Sequence, residues 1–141
     1  MGSNTLNKIL VPLDGSKNSL RGMKFAAAVA NQSGSSIIGL NINSPPMFVK
    51  ASVTLRNQAK LKSKEIIKEA EAITQKANVS FRGITKVSNN VGKTIVTFAE
   101  GHQVDMIVIG SRGPDSEHEL FLGSTANYVV IKSKIPVTII K

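Results

Sequence analysis

Apolar residues fall along this chain in short aliphatic runs, separated by longer stretches in which they recur every three or four positions. KILVPL, residues 8–13, is the first run, and it ends in Asp14-Gly15-Ser16, where turn chemistry takes over. Ser16 or Asn18 can cap the helix that follows, in which Leu20, Met23, Ala27 and Ala30 keep helical spacing until Gly34, a residue suited to a helix carboxyl end. SIIGLNIN, residues 36–43, reads as a second strand, and Pro45-Pro46 then breaks the chain into a loop reaching about Ser52. Leu55, Ala59, Ile66, Ala70, Ile73 and Ala77 predict a long amphipathic helix with one apolar face throughout.

The alternation continues to the end. Residues 80–87, SFRGITKV, predict a third strand with Ser88-Asn89-Asn90 as its exit, and Val91, Ile95, Phe98 and Ala99 a helix stopping near Gly101. The fourth strand spans residues 105–110, and its unbroken MIVI is the pattern of a strand buried on both faces. A helix over residues 123–133 and a last strand, PVTII at residues 136–140, complete a β-α-β-α-β-α-β-α-β order without internal repeats. That order predicts an α/β fold: an open, doubly wound, five-stranded parallel sheet with helices on both faces. Arranged 3-2-1-4-5, the strands reverse direction of winding between the first and fourth, and ligands in such sheets bind at that switch point. The loops there begin at Asp14 and Gly110, the two most glycine-marked strand exits.

Composition narrows the chemistry. At 141 residues the chain is expected to form one domain over residues 1–141, with residues 1–7 a flexible lead-in. Only 4% of residues are aromatic and tryptophan is absent, so the core must be aliphatic and alanine-based. Without cysteine there can be no disulfide, zinc-thiolate site or thiol nucleophile. No run approaches the roughly 20 apolar residues of a membrane helix, and MGSNTLNK is no signal region, so a cytoplasmic protein without a membrane partner is expected. The net charge of +9 raises nucleic acid as a partner. However, seven of the basic residues lie between Lys50 and Lys76 in a helical pattern with Glu65, Glu69 and Glu71, and no aromatics interleave for base stacking. A solvated helix face explains them better.

GSRGPDSEHELFLGST, residues 110–125, carries the strongest candidate chemistry. Gly110 and Gly113 can supply a tight turn in which backbone N–H groups approach a phosphate without interference from Cβ. Gly123-Ser124-Thr125 opens a helix whose unpaired N–H groups favour an anion; the Ser124 hydroxyl and Arg112 can add donors. Residues 114–122 would cross over or beside the phosphates as a flap. G-x2-G-x9-G-[ST] placed between a buried strand and a helix is far more specific than lone glycines, and no Walker motif G-x4-G-K-[ST] occurs. His118 reads as a solvent-exposed flap residue, His102 as a helix-end residue without an evident partner, and Asp105 as a strand start.

These motifs, from KILVPLDGS and IIGLNI through VDMIVIGSRG and LGSTANYVV to PVTII, resemble the universal stress proteins over nearly the whole chain, in the subgroup whose glycine signature accompanies ATP binding. The resemblance implies a Rossmann-like fold of the adenine nucleotide alpha hydrolase type. It implies that Pro12, Leu13 and Asp14 line the adenosine end, with the Asp14 carboxylate near the ribose or a bound Mg²⁺ or Mn²⁺. Ile42 would meet the adenine edge, Ile109 and Gly110 the ribose, and Arg112, Gly113, Gly123, Ser124 and Thr125 the phosphates of ATP, ADP or AMP. Ala126 departs from relatives that carry a hydroxyl there. Asp14 also reads as a plain turn-forming aspartate, since Asp-Gly-Ser is good turn chemistry in its own right.

The functional expectation is a nucleotide-dependent regulatory protein of the stress response with an unidentified protein partner; the resemblance also allows slow ATP hydrolysis. A low-turnover ATPase or phosphotransferase is the alternative, disfavoured because no general base, activated nucleophile or P-loop lysine is placed for it. A basic nucleic-acid-binding module is the other alternative, resting on charge alone. The uncharged PVTII, expected at the sheet edge, predicts a homodimer paired through residues 136–140.

Overall fold

The computed structural model describes residues 5–44, 53–112 and 121–141. Its elements are β1 (Lys8–Pro12), α1 (Lys17–Ser33), β2 (Ser36–Asn43), α2 (Val53–Lys76), β3 (Phe81–Val87), α3 (Val91–Gly101), β4 (Met106–Gly110), α4 (Ser124–Lys132) and β5 (Val137–Ile140). The strands form one sheet in the order β3-β2-β1-β4-β5, every neighbouring pair parallel. Ile9 of β1 pairs with Ile37 of β2 on one side and with Met106 of β4 on the other, so winding reverses between β1 and β4 as expected.

The two-residue period of the strands sorts the core into two layers. Ile9, Val11, Ile37 and Val108 pack with Met23, Ala26, Ala27 and Ala30 of α1 and with Ile66 and Ala70 of α2. Leu10, Ile38, Leu40, Ile107 and Ile109 face the other way, onto Ile95, Phe98 and Ala99 of α3 and Ala126 and Val129 of α4. The alanines of α1 let that helix lie close to the sheet, which is how a chain poor in aromatics fills its interior. Ser16 caps α1 by accepting the Ser19 N–H, and Gly34 ends it at φ 72°, the left-handed conformation open to glycine.

Several boundaries differ from the sequence pattern by a residue or a turn. Leu13 and Ser80 fall just outside their strands, although the Leu13 N–H still reaches the Leu40 carbonyl at 2.8 Å. Asp105 precedes β4, and its Oδ2 accepts the N–H groups of Asn7 and Lys8 at 2.9 Å each, tying the start of β1 to β4. Leu6 and Asn7, expected within the lead-in, are held there: the Leu6 carbonyl accepts the Ser35 hydroxyl and the Asn7 carbonyl the Ser36 N–H.

α2 is the long helix that the apolar spacing predicts, but its face is not covered along its whole length: the stretch 53–62 is exposed, with Leu55 at 48%, and burial begins at Ser63. Length explains this: 24 helical residues run about 36 Å, whereas the 8-residue β2 runs about 26 Å, so the helix overhangs the sheet. Residues 45–52 and 113–120, which include the expected loop, Gly113, His118 and most of the expected flap, lie outside the described residues. No described helix is long and apolar enough to cross a membrane.

Candidate functional site

A cleft of about 290 Å³ opens at the carboxyl ends of β1 and β4, at the switch point of the sheet. Among its lining residues are Pro12, Leu13, Asp14, Ile42, Ile109, Gly110, Arg112, Gly123, Ser124 and Thr125. These are all the candidate residues that the structure describes; Gly113 alone lies outside it.

One wall is the β1 exit. Asp14 Oδ1 accepts the Ser16 N–H at 2.8 Å, so the aspartate does form the turn its sequence context suggests. That uses one oxygen and leaves Oδ2 without a protein partner among the described residues. Gly15 sits at φ 85°, which a side chain would strain, and Ser16 and Ser19, both buried, complete the wall at the first turn of α1.

The opposite wall is the β4 exit. Gly110 is tightly packed: a Cβ there would lie 3.0 Å from Asn18 Cβ and 3.1 Å from the Asn18 carbonyl carbon, so a side chain would press β4 and α1 apart by a few tenths of an ångström. Ser111 follows, its N–H bonded to the Ile140 carbonyl and its carbonyl to the Gly123 N–H, each at 2.8 Å. The β4 exit is thereby clamped between β5 and the start of α4. Gly123 is the N-cap of α4 and brings no side chain to cap it. Its own N–H is taken by Ser111, so the groups that a helix start leaves unpaired fall to Ser124, Thr125 and Ala126. With Arg112 on the same lining, this end of the cleft suits an oxyanion.

The floor between the walls is apolar: Leu40 and Ile42 from β2, Ile109 from β4, Val91 and Ile95 from α3. Leu40, Val91, Ile95, Ser16, Ser19 and Ser111 were not anticipated. Leu40 lies two residues before Ile42 and so shares its face of β2, a signal available in the sequence. Val91 and Ile95 form an i, i+4 pair, but which face of the sheet α3 covers is decided by tertiary packing. Ser111 is buried and its Oγ has no hydrogen-bond partner among the described residues. His102, which lacked an evident partner, stacks on Phe98 at 3.7 Å between ring centroids, away from this cleft. No group of three or more His, Cys, Asp or Glu among the described residues could hold a metal ion, and Asp14 is the one described carboxylate lining the cleft.

Comparison with known proteins fits this geometry. A universal stress protein from Methanocaldococcus jannaschii, MJ0531, is 28% identical over 146 residues, covering 99% of this chain and 85% of its own. The solved structure of MJ0577 is 28% identical with a TM-score of 0.78, covering 97% of this chain and 96% of its own. The universal stress protein from Archaeoglobus fulgidus solved in complex with dAMP is 26% identical with a TM-score of 0.72, covering 97% of this chain and 99% of its own. The family model for the universal stress proteins matches residues 5–141, essentially the whole described fold and both walls of the cleft, and the chain belongs to that family.

Proposed function

We propose that this chain is a cytoplasmic, ATP-binding universal stress protein, a nucleotide-dependent regulator whose cleft occupancy is sensed by a protein partner. The observation carrying this reading is the uncapped start of α4 facing an apolar floor across a single cleft, since an adenine nucleotide needs both ends. The base and ribose would lie over Leu40, Ile42 and Ile109, the phosphates against Arg112, Gly113 and the N–H groups of Ser124 and Thr125. The related protein solved with dAMP supports the same ligand class. Asp14 would give Mg²⁺ or Mn²⁺ one oxygen ligand, with phosphate and water supplying the rest, in keeping with how such ions bind nucleotides.

Binding without efficient catalysis is favoured. No histidine or lysine lines the cleft among the described residues, so a paired general acid and base is missing there. Adenine nucleotide released on denaturing the purified chain, together with saturable binding of labelled ATP, is the expected result. A chain that releases no nucleotide and binds none would overturn the reading, and steady-state turnover above about 1 per second would replace the regulator with an enzyme.

Assembly through β5 belongs to the same proposal. β5 lies at the sheet edge, carries no charge, and adjoins α4, where Val130 and Ile131 are 41% and 67% exposed. A homodimer mass in solution at micromolar concentration is expected; a monomer would remove this part.

A further inference from the structure

α3 separates two concavities. Val91 and Ile95 line the cleft described above, while Lys93, Thr94, Thr97 and Phe98 turn to a groove of about 330 Å³ shared with Lys86 of β3 and with His102. No carboxylate among the described residues lines that groove. Its floor is fixed by stacking: the His102 and Phe98 rings lie 3.7 Å apart at 14°, and His102 Nδ1 donates to the Phe98 carbonyl at 2.9 Å. Lys86 Nζ stands 5.5 Å from the Phe98 ring centroid, a cation held by a ring face in place of an acid.

Lys93 is placed against the local field. It is the third residue of α3, in a first turn without an acidic side chain, where the positive end of the helix dipole disfavours a cation. Two lysines therefore line one groove, one of them at a helix start that disfavours a cation, and no carboxylate among the described residues lines it with them. A bound anion would relieve both.

We infer that the groove between α3 and β3 is a second ligand site, for a small oxyanion carrying two or more negative charges, of which pyrophosphate is the simplest. The charge requirement follows from the two lysines, and the size limit from the volume of the groove. A nucleic acid fits less well, because Phe98 is only 4% exposed and offers no open ring for base stacking.

Backbone amide NMR of the full chain, titrated with inorganic pyrophosphate at constant ionic strength, tests the site. Saturating shifts are expected at Lys93, Thr97 and His102. Any filling of the nucleotide cleft appears separately, at Ser124 and Thr125, so failure of one site is distinguishable from failure of the other. Combining Lys86→Gln with Lys93→Gln should weaken the first set by at least about tenfold and leave the second unchanged. The Lys86→Arg, Lys93→Arg pair should retain binding, which controls for lost packing. An unsaturable response at the groove, equal affinity in the glutamine pair, or a groove that responds to a single-stranded oligonucleotide and not to pyrophosphate would each overturn the inference.

Discussion

The two helices that begin at the cleft, α1 and α4, start in opposite ways. α1 closes on itself: Asp14 Oδ1 takes the Ser16 N–H, Ser16 Oγ takes the Ser19 N–H at 3.1 Å, and the Ser19 hydroxyl returns to the Ser16 carbonyl at 2.9 Å. α4 begins with a glycine that has no side chain to cap it and whose N–H is already held by Ser111. Both starts project the same dipole toward the same space, but α1 answers the Ser16 and Ser19 N–H groups with its own side chains, whereas among the described residues no side chain answers those of Ser124, Thr125 and Ala126. The difference assigns roles. The β1 side is chiefly scaffold, its capping serines bonded within the turn while Asp14 Oδ2 stays available, and the β4 side is the surface on which an oxyanion would complete the hydrogen bonding.

Ser124→Pro would break this asymmetry most strongly. Position 124 is the first residue of α4, where proline is tolerated because its missing N–H has no helical partner, and Gly123 at φ −61°, ψ 159° already holds the extended conformation that precedes proline. The substitution removes a hydroxyl and an N–H from the anion end without disturbing the helix. ATP affinity is expected to fall about 100-fold, from the loss of two hydrogen bonds to a charged group, with the thermal midpoint unchanged. Isothermal titration beside a thermal melt checks both halves, and undiminished ATP affinity would remove α4 from the site.

Much of this arrangement is legible in the sequence, and the gaps have physical causes. The unbroken Met106-Ile107-Val108-Ile109 announces a strand buried on both faces, and the glycine spacing after β4 marks the strand exit and the start of α4. What the sequence hides depends on contacts between distant residues. The burial of α2 stops at Ser63 because the sheet ends there, although Leu55 and Ala59 continue the apolar pattern. Ser111 acquires its place from Ile140 and Gly123, neither of them adjacent in the chain. Gly110 is the instructive case: its glycine looks like room for a phosphate, and its sharpest constraint is the backbone of Asn18.

That constraint makes Gly110→Ala the next test, now of how tightly the scaffold side holds the ligand side. The added methyl group would press on Asn18 Cβ, carbonyl carbon and carbonyl oxygen at 3.0 to 3.3 Å. Backbone cannot swing away as a flexible side chain tip could, so β4 or α1 must shift. A loss of about 1–2 kcal/mol in chemical denaturation is expected. Because the shift moves the β4 exit relative to the β1 exit, weaker ATP binding should accompany it. Unchanged stability would show that the two exits are not packed as tightly as the asymmetry requires.

Ser16→Ala carries the smallest expected effect and separates the two starts most cleanly. Its hydroxyl is the only side-chain cap of α1, and losing a serine N-cap costs about 1 kcal/mol. The freed Ser19 N–H is buried with its residue, so water cannot readily replace the lost acceptor. If α1 is scaffold alone, stability falls by that amount while ATP affinity, measured well below the melting transition, stays within about twofold. A drop in affinity larger than the drop in stability would mean that the α1 start also meets the nucleotide. In that event the phosphates would lie between two helix dipoles, and the assignment of the anion end to α4 alone would have to be withdrawn.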